Sequence, residues 1–210
     1  MYFNYSKFNY TIEVGGSLML ITITGKSGSG KSFIIKQFTK LNKDIISLDI
    51  DKVGHKSLSE PLIQSQIIKL FGDSVTNDAG IERRKLSNLV FSNPDAMEQL
   101  TTITLPWIEQ YIDNFIKANT KKIIILDWAL LPITKYPQLA DYNILVDAPY
   151  ELRLNRPTKR DNITKAQFEL REQASINYDE LDYEVIINTK EEQQIDAKVR
   201  KFYEQSIIPR

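Results

Sequence analysis

Short runs of consecutive apolar residues alternate along this chain with segments in which apolar residues recur three and four positions apart. The runs are rich in β-branched and aromatic residues, a pattern typical of strands that are covered on both faces of a parallel sheet. They predict strands at residues 18–24, 45–50, 122–128, 142–147 and 183–188. Because helical patterns separate these runs, we predict an α/β fold with a doubly wound, five-stranded parallel sheet.

The interval between the second and third predicted strands is much longer than a single crossover helix. It carries no strand pattern, so we predict an all-helical insertion over residues 52–120. Helices are predicted at residues 61–70 and 83–91. A third helix begins at Asp95 and ends before Pro106, because proline disfavours helical conformation in the residue before it, and a new helix begins at Pro106.

The predicted helix after Pro106 carries one broad apolar face. Its apolar residues recur three and four positions apart, at Trp107, Ile108, Tyr111, Ile112, Phe115 and Ile116. The simplest interpretation is that this face belongs to the hydrophobic core. The alternative is that it forms a wall of a substrate cleft.

The first 17 residues differ in pattern from the rest of the chain. They hold one lysine and no continuous apolar core, so they do not resemble a secretory signal, and Gly15, Gly16 and Ser17 form a flexible joint after them. We therefore predict an N-terminal extension over residues 1–17 and a folded domain over residues 18–210. The alternative is an ordered edge strand at residues 10–14.

Composition excludes several classes of function. The 210 residues contain 27 Lys and Arg and 27 Asp and Glu, so no net charge attracts the molecule to nucleic acid or to an anionic membrane, and we expect neither as a partner. No apolar stretch approaches the roughly 20 residues that cross a bilayer. The absence of cysteine excludes disulfides, cysteine-ligated metals and thiol nucleophiles, and it agrees with the cytoplasmic location that we expect.

A glycine-rich segment lies between the first predicted strand and the helix that follows. Residues 25–32, GKSGSGKS, contain two glycines five positions apart followed by Lys and Ser, which is the pattern of a phosphate-binding loop. Glycines let backbone N–H groups converge on phosphate oxygens, and the helix N-terminus adds partial positive charge. We predict that a nucleoside triphosphate binds here, through Gly25, Ser27, Gly28, Ser29, Gly30, Lys31, Ser32 and Phe33.

Three residues have predicted roles in handling the phosphates and a metal ion. Lys31 is expected to reach the β and γ phosphates, and the Ser32 hydroxyl to join the shell of a Mg²⁺ cofactor. Asp127 follows the apolar residues 123–126 and has the form of a second magnesium ligand that acts through water. The alternative for Asp127 is an ordinary carboxylate at the end of a strand.

Two aspartates end the second predicted strand. Alternation along a strand places Asp49 and Asp51 on the same side, and the carboxyl end of a strand beside the first one faces the ligand crevice of an open sheet. A carboxylate there can accept the proton of an attacking hydroxyl, and Asp51 is the one farther along the strand. The alternative is that both aspartates cap a helix or bind solvent at the strand end.

A basic segment follows the fourth predicted strand. Five basic residues and one acidic residue lie between positions 153 and 165, and arginines three and four apart share a helix face that can converge on a phosphoryl group. We predict a lid over residues 150–178, with Pro157 bending or breaking its helix. The alternative is a basic face exposed to solvent.

In order and spacing, these motifs resemble the dephospho-coenzyme A kinase family. Residues 49–55 are similar to that family's Asp-x-Asp-Lys-x-x-His, and residues 80–86 to its Gly-x-x-Arg-x-x-Leu. Residues 103–106 match its Ile-Thr-His-Pro except at Leu105, and residues 127–131 stand at its Asp-x-Pro-Leu-Leu. The later lid and strand positions are matched by Arg156, Arg160, Gln173 and Asn188. The resemblance extends from about Met19 to the C-terminus.

The resemblance implies that the chain transfers the γ-phosphate of ATP to the ribose 3′-hydroxyl of dephospho-coenzyme A. It assigns Asp51 as the catalytic base. From the loop pattern and the basic segment we expect Lys31 and Arg156 to take part in catalysis as well. Arg156 and Arg160 belong to the lid over ATP, and Arg83 to the coenzyme A side of the insertion. His55, the only histidine, is interpreted as a structural or substrate-side residue.

Three departures from the family pattern bear on the assignment. Leu105 replaces a histidine, Ile133 stands where an acidic residue follows the Leu-Leu pair, and Glu169 stands where a lid arginine is expected. Two alternatives therefore stay open. One is a kinase for another nucleoside or nucleotide, and the other is a nucleotide-binding switch without catalysis.

Overall fold

A computed structural model describes residues 18–160, 162–178, 182–188 and 192–208 of the chain. The predictions made for residues 1–17, an N-terminal extension or an edge strand, lie outside these described residues. The described part is an α/β structure with a central sheet and flanking helices.

The central sheet has five strands in the order β2-β5-β1-β6-β7. These strands are β1 (Met19–Thr24), β2 (Ile45–Asp49), β5 (Ile123–Asp127), β6 (Tyr142–Asp147) and β7 (Glu184–Ile187). Parallel pairing joins β1 to β5 and β6, and β6 to β7. The predicted α/β fold is confirmed, but parallel pairing is found for four strands rather than five. Apolar runs predict where strands lie and do not fix their direction.

The middle of the sheet is occupied by β1, whose six residues are all buried. Thr22 of β1 lies opposite Leu126 of β5 on one side and Asn143 of β6 on the other. The sheet packs against α1 (Lys31–Leu41) and α9 (Glu192–Phe202), and the Phe38 and Phe202 rings meet edge to face at 5.9 Å. This core fixes the end of β1, from which the glycine-rich loop begins.

The remaining elements of this sheet-containing part follow β5. A 3-10 turn (Leu131–Ile133) and the short helix α6 (Tyr136–Leu139) lead into β6. Next come α7 (Tyr150–Arg160) and α8 (Lys165–Gln173), and a π-helical turn (Tyr203–Ile207) follows α9. Pro157 is buried within α7 and does not end it, so the predicted break of this helix is wrong.

The structure divides into two compact units. One unit holds the central sheet and comprises the described residues up to Leu48 and from Lys117 onward, and the other comprises Asp49–Ile116. The second unit contains α2 (Ile50–Ser57), α3 (Pro61–Phe71), α4 (Arg83–Ser92) and most of α5 (Pro94–Ala118). A 3-10 turn (Asp73–Val75) lies between α3 and α4.

The second unit is not all-helical, contrary to the prediction. A two-stranded antiparallel sheet pairs β3 (Thr76–Asn77) with β4 (Gly80–Ile81). Each strand has two residues, too few to produce a strand pattern in the sequence.

The predicted break before Pro106 is also wrong, because α5 is continuous from Pro94 to Ala118. The proline removes one backbone hydrogen bond. Around it, however, Leu105, Ile108 and Ile112 are buried, and this packing holds the helix together. Ile116 is buried further along the same face, and the Trp107 ring stacks on Tyr111 at 5.6 Å. The apolar face after Pro106 is therefore core, as the simplest interpretation held.

None of the helices in the described ranges is both long enough and apolar enough to cross a membrane.

Candidate functional site

The glycine-rich loop runs from the end of β1 to the start of α1, and neighbouring elements touch its backbone directly. Gly28 has φ +76°, and a Cβ there would lie 2.2 Å from the backbone oxygen of Arg153 in α7. Gly30 has φ +97°, and a Cβ there would lie 2.1 Å from Nδ2 of Asn188. Only glycine fits such positions, because a side chain would clash and the backbone conformation disfavours it. Close contacts with Arg153 and Asn188 therefore restrict the conformation of the loop.

The first turn of α1 provides the chemistry of an anion site. The first backbone N–H groups of a helix have no acceptor within it, and with the helix dipole they attract phosphate. Lys31 is the first helical residue, and its Nζ donates to the carbonyl of Gly25 at 2.9 Å. Ser32 follows and is exposed. Both predicted phosphate-side residues therefore lie at the helix N-terminus.

Two predicted loop residues have different surroundings. Ser27 lies half-buried in the loop. Phe33 is half-buried in α1 and packs against the core under the sheet. Its ring therefore contributes to the packing that supports the loop.

Arg156 and Asn188 hold two carbonyl groups of the loop. Nη1 of Arg156 donates to the carbonyls of Gly28 and Ser29, each at 2.9 Å, and Nη2 donates to Oδ1 of Asn188 at 3.0 Å. The Asn188 side chain is buried, and its Nδ2 donates to the carbonyl of Ser29 at 3.0 Å. Three hydrogen bonds therefore restrain the direction of these two carbonyls. Burial lowers the pKa of Arg156 from its usual value.

A second group of charges joins the loop to α7 and α8. Nζ of Lys26 donates to Oε1 of Glu172 at 2.7 Å, and both nitrogens at the tip of Arg153 donate to the same carboxylate. Nε of Arg153 donates to the carbonyl of Ala148 at 3.0 Å. Burial acts to raise the pKa of Glu172, but the hydrogen bonds and charges of Arg153 and Lys26 outweigh it and lower that pKa. Glu172 is therefore an ionised carboxylate between two cations.

Asp127 and Arg160 lie at the ends of their elements. Asp127 is the half-buried last residue of β5, opposite Ile23 of β1 just before the loop. Arg160 is the exposed last residue of α7.

The oxygen donors of this unit suit magnesium. Ser32 and Asp127 offer a hydroxyl and a carboxylate, and Mg²⁺ in phosphate-binding sites takes one or two protein ligands and fills its shell with phosphate oxygens and water. Within the described ranges no group of three His, Asp or Glu side chains could hold a metal ion by themselves. The donor set therefore fits an ion that arrives with a nucleotide.

The predicted acceptor-side residues all belong to the Asp49–Ile116 unit. Strand β2 ends at Asp49, whose Oδ1 accepts from the backbone N–H of Lys52 at 3.1 Å and caps α2. Asp51 lies exposed in the first turn of α2. The expectation that both aspartates extend a strand is wrong, because this cap begins a helix at Ile50, and the helix-cap alternative is confirmed for Asp49.

His55 and Arg83 contact each other in this unit. Nη2 of Arg83 lies 2.8 Å from Nδ1 and 2.7 Å from Nε2 of the ring, so it can donate to whichever nitrogen carries no proton. Partial burial and the Arg83 charge lower the pKa of His55, and they outweigh the opposite effect of Asp51 and Asp49. The ring is therefore neutral and accepts from Arg83 at neutral pH.

The sequence predicts no individual role for Lys26, Glu172 or Asn188, although each belongs to the loop or binds a loop residue. Arg153 is expected among the basic residues of the lid, but the structure places its side chain buried against Glu172 and the Ala148 carbonyl. Lys26 is one of the variable positions of the loop pattern, and Glu172 stands in a mixed-charge helix without a motif. Their partners are far away in sequence, 146 residues for Lys26 and Glu172. Asn188 carried one usable signal, its match to the family's last strand.

The three residues that depart from the family pattern are buried, half-buried or paired with a neighbouring charge. Leu105 is buried in α5, Ile133 is half-buried, and Glu169 pairs with Lys165 in α8 at 3.7 Å.

Comparisons with known proteins agree on one family. A family model described as dephospho-CoA kinase matches residues 19–194. The dephospho-CoA kinase of Fusobacterium nucleatum is 32% identical over 150 residues, which cover 71% of this chain and 77% of that protein. The dephospho-CoA kinase of Clostridium tetani is 30% identical over 207 residues, 94% of this chain and 90% of that protein.

Solved structures share the fold. TT1252 from Thermus thermophilus superimposes with a TM-score of 0.73 at 22% identity, covering 89% of this chain and 97% of that one. The dephospho-CoA kinase from Campylobacter jejuni gives a TM-score of 0.53 at 24% identity, covering 90% and 97%. With a loop shaped for phosphates and a family match over most of its length, the chain belongs to the dephospho-CoA kinase family.

Proposed function

We propose that this chain transfers the γ-phosphoryl group of ATP to the ribose 3′-hydroxyl of dephospho-coenzyme A and releases coenzyme A and ADP. The observation that carries this proposal is the phosphate-binding loop, whose carbonyls are held by Arg156 and Asn188, in a chain that belongs to this family. The same evidence disfavours a kinase for a different acceptor and a non-catalytic switch.

On the donor side, the loop and α1 bind the triphosphate. Backbone N–H groups of the loop surround the phosphate oxygens, and the Lys31 ammonium moves from the Gly25 carbonyl to the β and γ phosphates. Ser32 and Asp127 would hold Mg²⁺, Asp127 through water. When bound, this ion neutralises charge on the β and γ oxygens.

On the acceptor side, we assign the proton transfer to Asp51. The 3′-oxygen forms a bond to the γ phosphorus while the bond from that phosphorus to the β–γ bridging oxygen breaks, and ADP leaves with the electron pair. The hydroxyl proton passes to the Asp51 carboxylate, which needs reach rather than an unusual pKa. We assign His55 and Arg83 to acceptor binding, with the neutral ring orienting the guanidinium.

We further infer that α7 and α8, within residues 150–178, form a lid over ATP that includes Arg160, and that the sheet is doubly wound as in phosphate-loop kinases. The strand order supports the second inference, because β1 occupies the middle of the sheet and leads into the loop. A cytoplasmic location fits a soluble metabolic enzyme of this kind.

An acceptor panel tests the proposal. ADP release by the full chain is measured with ATP and Mg²⁺ in the presence of dephospho-coenzyme A, adenosine, AMP or a pyrimidine nucleoside. We expect release that depends on dephospho-coenzyme A and exceeds the release with every other acceptor. Turnover with AMP but not with dephospho-coenzyme A would establish the nucleotide-kinase alternative, and ATP binding without any turnover would establish the switch.

A further inference from the structure

Glu172 differs from an ordinary surface carboxylate because it binds cations from two other parts of the structure. Its carboxylate accepts from Lys26 of the loop and from both terminal nitrogens of Arg153, so a single side chain of α8 connects the loop to α7. The side chain of Arg153 is 8% exposed and that of Glu172 is 20% exposed. These charges are therefore partly shielded from water, and their interactions are stronger than those of a solvated ion pair.

Helix α7, which carries Arg153, also touches the loop through its backbone. The backbone oxygen of Arg153 lies 2.2 Å from the place that a Cβ on Gly28 would occupy. The Arg153 side chain is fixed at its other end by the bond from Nε to the carbonyl of Ala148. Arg153 thus holds Glu172 in place from a rigid support, and Glu172 holds Lys26, which follows Gly25 at the beginning of the loop.

Loss of the carboxylate charge would affect the loop in a definite way. Lys26 and Arg153 both donate to Glu172, so without its negative charge two cations would face each other across a neutral group. Lys26 would then move towards solvent, and the beginning of the loop would move with it. Backbone donors bind phosphate well only if they are already in position, so a displaced loop binds ATP less tightly.

We propose that Glu172 is a positioning residue for ATP, which acts through Lys26 and Arg153 to hold the phosphate-binding loop in its binding conformation. This inference rests on the proposed function, since it concerns the same loop. The opposite role for the same contact is that Lys26 is itself a phosphate ligand and Glu172 competes with ATP for it. For loss of the Glu172 carboxylate the two roles predict opposite changes in ATP affinity, because removal of a competitor strengthens ATP binding.

The test measures ATP binding directly, by calorimetric titration of the full chain with ATP and Mg²⁺ without acceptor, and turnover separately. The variants are Glu172→Gln, Lys26→Met, the double variant and Lys26→Arg. Asp44→Asn is the matched control, because Asp44 and Lys122 form an ion pair of 2.6 Å at the opposite end of the strands. The lysine side chains of the two pairs are similarly exposed, 37% for Lys122 and 35% for Lys26.

We expect Glu172→Gln to weaken ATP binding by about tenfold, the usual effect of losing a partly buried charge-assisted hydrogen bond. Lys26→Met also weakens ATP binding. In free energy, the loss in the double variant does not exceed the sum of the two single losses. Lys26→Arg keeps most of the wild-type affinity. KM for ATP follows the dissociation constant while kcat changes little. Asp44→Asn leaves ATP binding unchanged.

Tighter or unchanged ATP binding by Glu172→Gln would overturn the proposal, and so would unchanged binding by Lys26→Met or an equal loss in Asp44→Asn. If Glu172→Gln does not fold, Glu172→Asp replaces it, because the shorter side chain keeps the charge but does not reach both Lys26 and Arg153. The proposal then predicts weaker ATP binding by Glu172→Asp, and tighter binding would establish the competing role. Failure of the proposed function has a separate signature. In that case the wild-type chain shows no turnover with dephospho-coenzyme A, while the differences in ATP binding remain.

Discussion

Gly30 shows at the scale of one residue how closely the loop fits its support. A Cβ there would lie 2.1 Å from the amide nitrogen of Asn188, which itself binds the Ser29 carbonyl. A side chain at Gly30 would therefore displace the group that orients the loop. The sequence motif requires glycine here for access to phosphate, and the structure adds a second requirement, contact with Asn188.

We predict that Gly30→Ala destabilises the fold and abolishes measurable ATP binding. Gly72→Ala is the matched control, since Gly72 also has a positive φ, +72°, but nothing lies within 4 Å of its Cβ position. Backbone strain alone costs about 1–3 kcal/mol at either site. Urea unfolding and ATP titration measure both variants. Equal losses of stability and equal ATP affinity in the two variants would contradict the role of the contact with Asn188.

Asp51 is the residue on which the proposed chemistry depends most. Replacing a general base lowers the rate by roughly 10²–10⁴, so we predict a loss of this size in kcat for Asp51→Asn, with ATP binding retained. Asp49→Asn is the control, because Asp49 lies two residues before Asp51 and caps α2, and asparagine caps helices about as well as aspartate. Steady-state kinetics with dephospho-coenzyme A measure both. Equal kcat values for the two variants would show that Asp51 is not the general base.

At the scale of elements, most strands and helices could be predicted from apolar periodicity. Strand β6 agrees with the predicted residues, and β1 and β5 agree to within a residue at each end. The errors arise where local contacts compete with periodicity. The Asp49 cap ends β2 and starts α2 one residue before Asp51, and burial around Pro106 keeps α5 continuous through a helix-breaking residue.

The continuity of α5 leads to a prediction about stability. Proline inside a helix lacks an N–H donor, so Pro106→Ala should raise the free energy of unfolding by about 1–3 kcal/mol. Pro61→Ala is the control, because Pro61 occupies the first position of α3, where no donor is needed. That change should lower stability by less than about 1 kcal/mol. Urea unfolding measures both, and a less stable Pro106→Ala variant would contradict the argument.

At the scale of the whole molecule, the sequence predicted the fold class and the family but only part of the site. Short-range motifs located the loop, Lys31 and Ser32 because their chemistry depends on adjacent residues. The contacts of Glu172 and Asn188 with the loop join residues more than 140 positions apart, and they become visible only when the chain is folded. The zero net charge likewise conceals the cations and carboxylate gathered around the loop.

The chemical identity of the product decides whether this chain makes coenzyme A. The full chain is incubated with ATP, Mg²⁺ and dephospho-coenzyme A, and the product is separated and examined by mass spectrometry and phosphorus NMR. We predict coenzyme A, with a new phosphomonoester on the ribose 3′-oxygen and one ADP released for each molecule formed. A phosphate on any other oxygen, or no phosphorylated product from a chain that still binds ATP, would contradict it.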